Sequence, residues 1–185
     1  MSARRIAPGA SAASTRQGGF ALLEVLIAIV VSVVGILGLI GMQARSYQVE
    51  AESYQRSQAL ALLEDIASRI NANRANAVSY LAADIGTGAV ADCSLAADAI
   101  ARDLCEIGNN LRGAGETAGG AAVGAMTQAR ACITSPAADT YVIAVVWAGV
   151  VPSGPPNTAC GANQYGDEGL RRAVTTVVVV PDLGA

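Results

Sequence analysis

Residues 20–42 read FALLEVLIAIVVSVVGILGLIGM, and the reading of this run decides the fold. It contains no Pro and a single charged side chain, Glu24, in an otherwise aliphatic sequence. As a helix rising about 1.5 Å per residue, it is long enough to cross a bilayer core of about 30 Å. The preceding residues 1–19 are small and polar, carry Arg4, Arg5 and Arg16, and include Pro8, Gly9, Gly18 and Gly19. Such a segment builds no core of its own. It is expected to stay on the cytoplasmic side, its arginines setting the orientation of the helix that follows.

Two ordinary explanations fall short. A secretory signal peptide has an apolar region of about 7 to 15 residues and an A-x-A-like cut, whereas this run is longer and shows no such site. A plain single-pass anchor explains the length but leaves Glu24, fifth in the run, without a purpose. A carboxylate at that depth costs about 2.5 to 3.5 kcal/mol on insertion scales, which marks it as a functional group in need of a cationic partner.

Composition narrows the rest. The 185 residues suffice for one domain of ordinary size plus an extended element. Only 15% of residues are charged and 52% are hydrophobic, which excludes a disordered chain. The net charge is -3, and all 12 basic residues are arginines scattered along the chain, so nucleic acid is not expected as a partner. The absence of His and Lys removes His-based triads, His-ligated zinc, Walker A lysines and Schiff-base chemistry. Neither a cofactor nor a metal is expected, and no carboxylate pair is marked out by spacing.

Beyond the apolar run the helical period continues. Tyr47, Ala51, Tyr54, Gln58, Leu62, Ile66 and Ile70 recur at three or four residues, with Glu50, Glu52, Arg56, Asp65 and Arg69 mostly off that stripe. With no Pro in residues 20–80, the pattern predicts one helix to about Val78, roughly 90 Å long. Gly35, Gly38 and Gly41 lower its intrinsic stability but allow close approach of other helices, and either ordinary packing or local stretching explains them.

A head follows, over residues 81–185. Ser94 reads as the N-cap of a short helix bearing Leu95, Ile100, Leu104, Ile107 and Leu111. Residues 112–125, RGAGETAGGAAVGA, resemble a phosphate loop only superficially, since no Lys follows and no strand precedes, and are expected to form a flexible loop. TYVIAVVWA, residues 140–148, and RRAVTTVVVV, residues 171–180, are rich in β-branched residues and bounded by prolines. They are expected to pair antiparallel, with the ACIT segment at Cys132 a candidate further strand. Trp147 is expected in the core rather than as a binding anchor. The pair Arg171 and Arg172 fits either an interface or a solvated strand start. Cys93, Cys105, Cys132 and Cys160 form an even set without a CxxC pair, which favours disulfides in an oxidising compartment over a zinc or redox site. Of the three connectivities, Cys93 with Cys105 and Cys132 with Cys160 is the expected one. The fold class is therefore α+β, a long N-terminal helix spine against a small antiparallel sheet.

The stretch GGFALLEVLIAIVVSVVGILGLIGMQ resembles the class III signal of type IV prepilins and of type II secretion pseudopilins. The resemblance implies cutting after Gly19 by a membrane prepilin peptidase and methylation of the new amine on Phe20. It places Glu24 fifth in the mature chain, where it would pair with the N-terminal amine of a neighbouring subunit during assembly. The residue 22–43 stretch, the ACI around Cys132, the strand YVIAVVWAG, a late Cys and the RRAV before a last strand are together similar to PilV-type minor pilins, or pilus modification proteins. That likeness implies a non-catalytic subunit of a tip or priming complex, with other minor pilins, the major pilin and a tip adhesin as partners. It implies residence in the inner membrane with a periplasmic head before assembly, and in the pilus afterwards. The domain reading is a removed leader (1–19), a membrane and filament-core half-helix (20–42), an amphipathic half-helix (43–80) and the head. A type II secretion pseudopilin and a membrane-anchored periplasmic enzyme are the competing readings.

Overall fold

The first helix, α1, runs Phe20–Ala72 in the computed structural model, which describes residues 20–122 and 124–181. The chain divides into two units, Met1–Ser46 and Tyr47–Ala185. In the first, every described side chain is exposed, and Ser32 Oγ donates to the Ala28 carbonyl at 2.7 Å, so this hydroxyl is satisfied without leaving the helix.

In the second unit the helix buries Ala59, Leu63, Ile66 and Ile70. The stripe expected from sequence holds at Ile66 and Ile70 but fails above them, where Tyr47, Ala51 and Tyr54 are exposed and the buried positions begin at Ala59. The expected stripe repeats on average about every 3.8 residues, longer than the 3.6 of an α-helix, so it drifts off the face that meets the sheet. The helix also ends six residues earlier than expected. Asn73 leaves helical geometry (φ -120°, ψ 46°), its N–H still donating to the Arg69 carbonyl at 3.1 Å, and Arg74–Tyr80 continues as tighter 3-10 turns. Asn76 Nδ2 donates to Asn73 Oδ1 at 2.9 Å. Such short amides compete with the helical backbone for hydrogen bonds, which is why a helix carrying Asn71, Asn73 and Asn76 stops among them.

The second helix, α2, runs Ala99–Leu111, and its N-cap is Asp98, not Ser94, because Asp98 Oδ1 accepts from the Ala101 N–H at 2.7 Å. Ser94 lies instead in a 3-10 turn capped by Asp92, and Leu95 is 81% exposed rather than part of the apolar stripe. Ile107 and Leu111 are buried, with Ile100 and Leu104 packed beside them. The glycine-rich stretch is not a plain loop: β2 (Thr117–Ala118) and β3 (Ala121–Ala122) pair there as a small hairpin.

The main sheet has the order β1-β4-β5-β6, antiparallel throughout, with β1 Ala82–Ile85, β4 Arg130–Ala137, β5 Thr140–Ala148 and β6 Arg171–Val179. The two long strands lie where the sequence placed them, apart from Val180, and ACIT does supply a third. Alternation along β5 sends Tyr141, Ile143, Val145 and Trp147 to the face that meets α1 and α2. Ala144 and Val146 go to the other face, where Cys132, Cys160 and Tyr165 cover them in a second, smaller cluster. A strand buried on both faces reads as a continuous apolar run, as TYVIAVVWA does.

Cys93 is joined to Cys105 and Cys132 to Cys160, with Cα atoms 5.6 and 5.8 Å apart. The first ties the 3-10 turn to α2, and the second ties the long segment after β5 to β4. Replacing both Cys132 and Cys160 by Ser should lower head stability by about 2 to 4 kcal/mol. Ile143→Ala, at a fully buried position, should cost about 2 to 5 kcal/mol. Thermal melts of the purified chain, with peptide mapping under non-reducing conditions, check both. A Cys93 to Cys160 peptide would contradict the pairing.

Candidate functional site

The N-terminal turns of α1 carry the residues singled out from sequence. Phe20 is the first helical residue and is 80% exposed; Gly19 lies outside the described residues. Glu24 stands four residues on, one turn later on the same face, exposed and flanked by Leu22, Leu23, Val25 and Leu26. Among the described residues no cation pairs with it. A β-carbon built on Gly35, Gly38 or Gly41 would meet nothing within 4 Å, so nothing among the described residues requires glycine there. The helix is long and apolar enough to cross a membrane, and none of its apolar window is buried by the rest of the chain.

An apolar helix with its acid at the fifth position, headed by Phe20, is the geometry that the comparison with protein-family models also singles out. The model described as the prokaryotic N-terminal methylation motif matches residues 14–40, which include Gly19, Phe20 and Glu24. The chain carries a class III prepilin signal. Comparison with curated proteins and with solved structures gave no match. The prepilin signal and the apolar helix together fit anchoring in the inner membrane, and the α+β arrangement is consistent with a type IV pilin fold.

In the head, the charged groups do structural work that the sequence did not reveal. Arg171 and Arg172 are neither a solvated strand start nor a free pair. Arg171 is 4% exposed: its Nη1 donates to the Thr158 and Cys160 carbonyls at 2.6 and 3.0 Å, and its Nε donates to Glu168 at 2.7 Å. It thereby holds the segment that covers the second cluster. Arg172, on the opposite face, donates through Nε and Nη2 to both Glu52 oxygens at 3.2 Å, and also to the Gly169 and Val151 carbonyls. Glu52 Oε1 in turn accepts from the Val150 N–H at 2.9 Å. A β-carbon at Gly149 would lie 2.8 Å from Arg172 Cζ and 2.9 Å from Glu52 Oε1, so any larger residue there would displace this ion pair. No local signal could have found this tie, because its partners are 120 residues apart.

A second cluster sits lower on α1. Arg69 donates to Asp65, Asp103 (2.6 Å) and Glu106 (2.8 Å), and the Tyr80 hydroxyl donates to Asp103. Burial disfavours the guanidinium, but Glu106, Asp103 and Asp65 outweigh it and hold it charged well above the ordinary range. Burial and the Asp103 carboxylate push the Tyr80 phenol up. Trp147 is buried, in the core as expected, and its Nε1 has no hydrogen-bond partner among the described residues; the same holds for Gln55 Oε1. Among the described residues no group of His, Cys, Asp and Glu is placed to hold a metal ion.

Partial burial tends to raise the Glu52 carboxyl, but the Arg172 hydrogen bond, the Val150 N–H and the Arg172 charge more than offset it and bring it below its ordinary 4.5. A depressed carboxylate contributes its stability above the unfolded value and loses it as pH falls through the folded one. The tie should therefore be intact at pH 7 and fade below about pH 4.5. Glu52→Gln should cost about 1 kcal/mol at neutral pH, and the difference from wild type should shrink as melts are repeated toward pH 3.

Proposed function

We propose that this chain is a minor pilin of a type IV pilus, a non-catalytic subunit of a tip or priming complex that promotes pilus assembly and adhesin display. The coarser statement, that the motif supports a type IV pilin or pseudopilin processed by prepilin peptidase and assembled with other pilins, needs only the signal at residues 14–40. The minor-pilin reading adds the likeness of the ACI segment, YVIAVVWAG and RRAV to PilV-type chains.

The carrying observation is Glu24. It is an acid one turn into a bare apolar helix, four residues after Phe20 and unpaired among the described residues. Cleavage after Gly19 would create a cation on Phe20 of each subunit. A neighbour's amine, arriving in the apolar core of a filament, then neutralises Glu24 where lipid cannot. Helices whose apolar surface is not covered in the single chain would bury it against each other, with Gly35, Gly38 and Gly41 giving the closest approach. By this reading residues 20–42 serve as membrane anchor and filament core, and residues 81–185 display the subunit's individual surface. The major pilin, other minor pilins and a tip adhesin are its partners. Before assembly the head is periplasmic, and afterwards it stands in the pilus.

Mass spectrometry of the mature chain should find methylated Phe20 at its N-terminus, the net charge having moved from -3 to -6 with the loss of Arg4, Arg5 and Arg16. An intact Met1 or a cut beyond residue 24 would sink the reading. Glu24→Ala should enter the membrane at least as well as wild type and fail to enter filaments. Sheared filaments should contain this chain as a trace component, and its deletion should reduce pilus number. Pull-down of secretion-system components instead would point to the pseudopilin alternative.

A further inference from the structure

Between Tyr47 and Gln58, α1 has no buried side chain, and apolar contact with the sheet begins only at Ala59. The half-buried residues of this stretch, Glu52, Gln55 and Gln58, are all polar. Gln58 spends its amide within the helix, donating to the Tyr54 hydroxyl at 2.8 Å. Among the described residues the stretch is therefore hydrogen-bonded to the rest of the head through Glu52 alone, by Arg172 and the Val150 and Val151 N–H groups.

Two buried polar atoms beside this tie have no partner among the described residues, Gln55 Oε1 and Trp147 Nε1. Trp147 stands directly opposite Arg172 in the β5 to β6 ladder, and Gln55 lies on α1 within one turn of Glu52. A buried carbonyl or indole N–H without a partner has given up its water for nothing, and opening the contact returns that water. Closure makes one charged tie; opening solvates two orphaned groups. The opposing effects are of similar size, and a stretch with no buried apolar side chain adds little resistance of its own.

We propose that residues 47–58 of α1 and the start of the β5 to β6 connection form a latch, which opens when Glu52 is protonated while the core from Ala59 onward stays packed. Arg172 is the charged side chain that faces Glu52 from the sheet, and the connection faces it with backbone N–H groups. On its own helix Glu50 and Arg56 are exposed and make no ion pair with it. A carboxylate held down by a cation keeps the latch shut at neutral pH and releases it as pH falls below its ordinary 4.5. Opening frees about three turns of helix between the apolar run and the head's core.

Trp147, the one tryptophan of the chain and 3% exposed, reports on the latch directly. The test is acrylamide quenching of its fluorescence in the full-length chain held in detergent micelles. At pH 7, where no other group is changed, Glu52→Gln should raise the ratio of open to closed molecules about fivefold and the quenching with it. Helical ellipticity and both native disulfides should be unaltered. Gly149→Ala, whose β-carbon would press on Arg172 and Glu52, should open the latch without removing a charge. Gln55→Met, which deletes the orphaned carbonyl at similar volume, should close it and bring quenching below wild type. Wild type taken to about pH 4 should approach Glu52→Gln before any helical ellipticity is lost. Three results would overturn the proposal: Trp147 equally shielded in wild type, Glu52→Gln and Gly149→Ala; Trp147 exposed only together with loss of ellipticity; or Gln55→Met quenched more than wild type.

Discussion

The constraint on which the molecule depends is that the apolar surface of residues 20–42 finds no cover among the described residues. At about 25 cal/mol per Å², a bare aliphatic helix of this length cannot remain in water. It must be in lipid or against other helices, and both environments are equally apolar. Exchange between them therefore costs little in hydrophobic energy, which leaves the choice to polar groups and close packing. By the proposed reading, Glu24 and the three glycines tip that balance, because the aliphatic side chains are as well satisfied in one place as in the other.

The same helix does different work from Tyr47 onward. There it is a wall of the head, burying Ala59, Leu63, Ile66 and Ile70 against the sheet. Glu52 and Arg69 bind that wall to distant parts of the sequence through charged hydrogen bonds. These bonds lie at the margin of the core, where partial exposure keeps the desolvation cost low while the geometry still fixes direction. Apolar burial holds the helix to the sheet; Glu52 fixes its register against the β5 to β6 connection.

What the sequence made legible follows from how local each signal is. The apolar run and its acid, the two long strands and the even cysteine set are visible in contiguous composition, and each has its place in the structure. The helix end was missed because three asparagines spread over six positions break a helix gradually, whereas a Pro would have announced it. Asp98 was missed because Ser94 offers an equally good cap chemistry, and only tertiary position selects between them. β1 has no strand signature at all: Ala82, Ala83, Asp84 and Ile85 are extended because β4 pairs with them. Arg171 looked exposed because arginine usually is, and its burial depends on carbonyls contributed by Thr158 and Cys160.

The segment between β5 and β6 is fastened at separate points: Cys160 to Cys132, the Arg171 guanidinium to two carbonyls, and the Tyr165 hydroxyl to the Gln128 carbonyl at 3.0 Å. Ahead of those anchors, the proline-rich residues 152–157 lie largely at the surface and meet the rest of the head through the Ser153 N–H, which donates to the Gly169 carbonyl at 2.7 Å. They behave as a handle mounted on a rigid frame. Sequence there is free to diverge, and an epitope or fluorophore could be grafted there without the sheet registering the change.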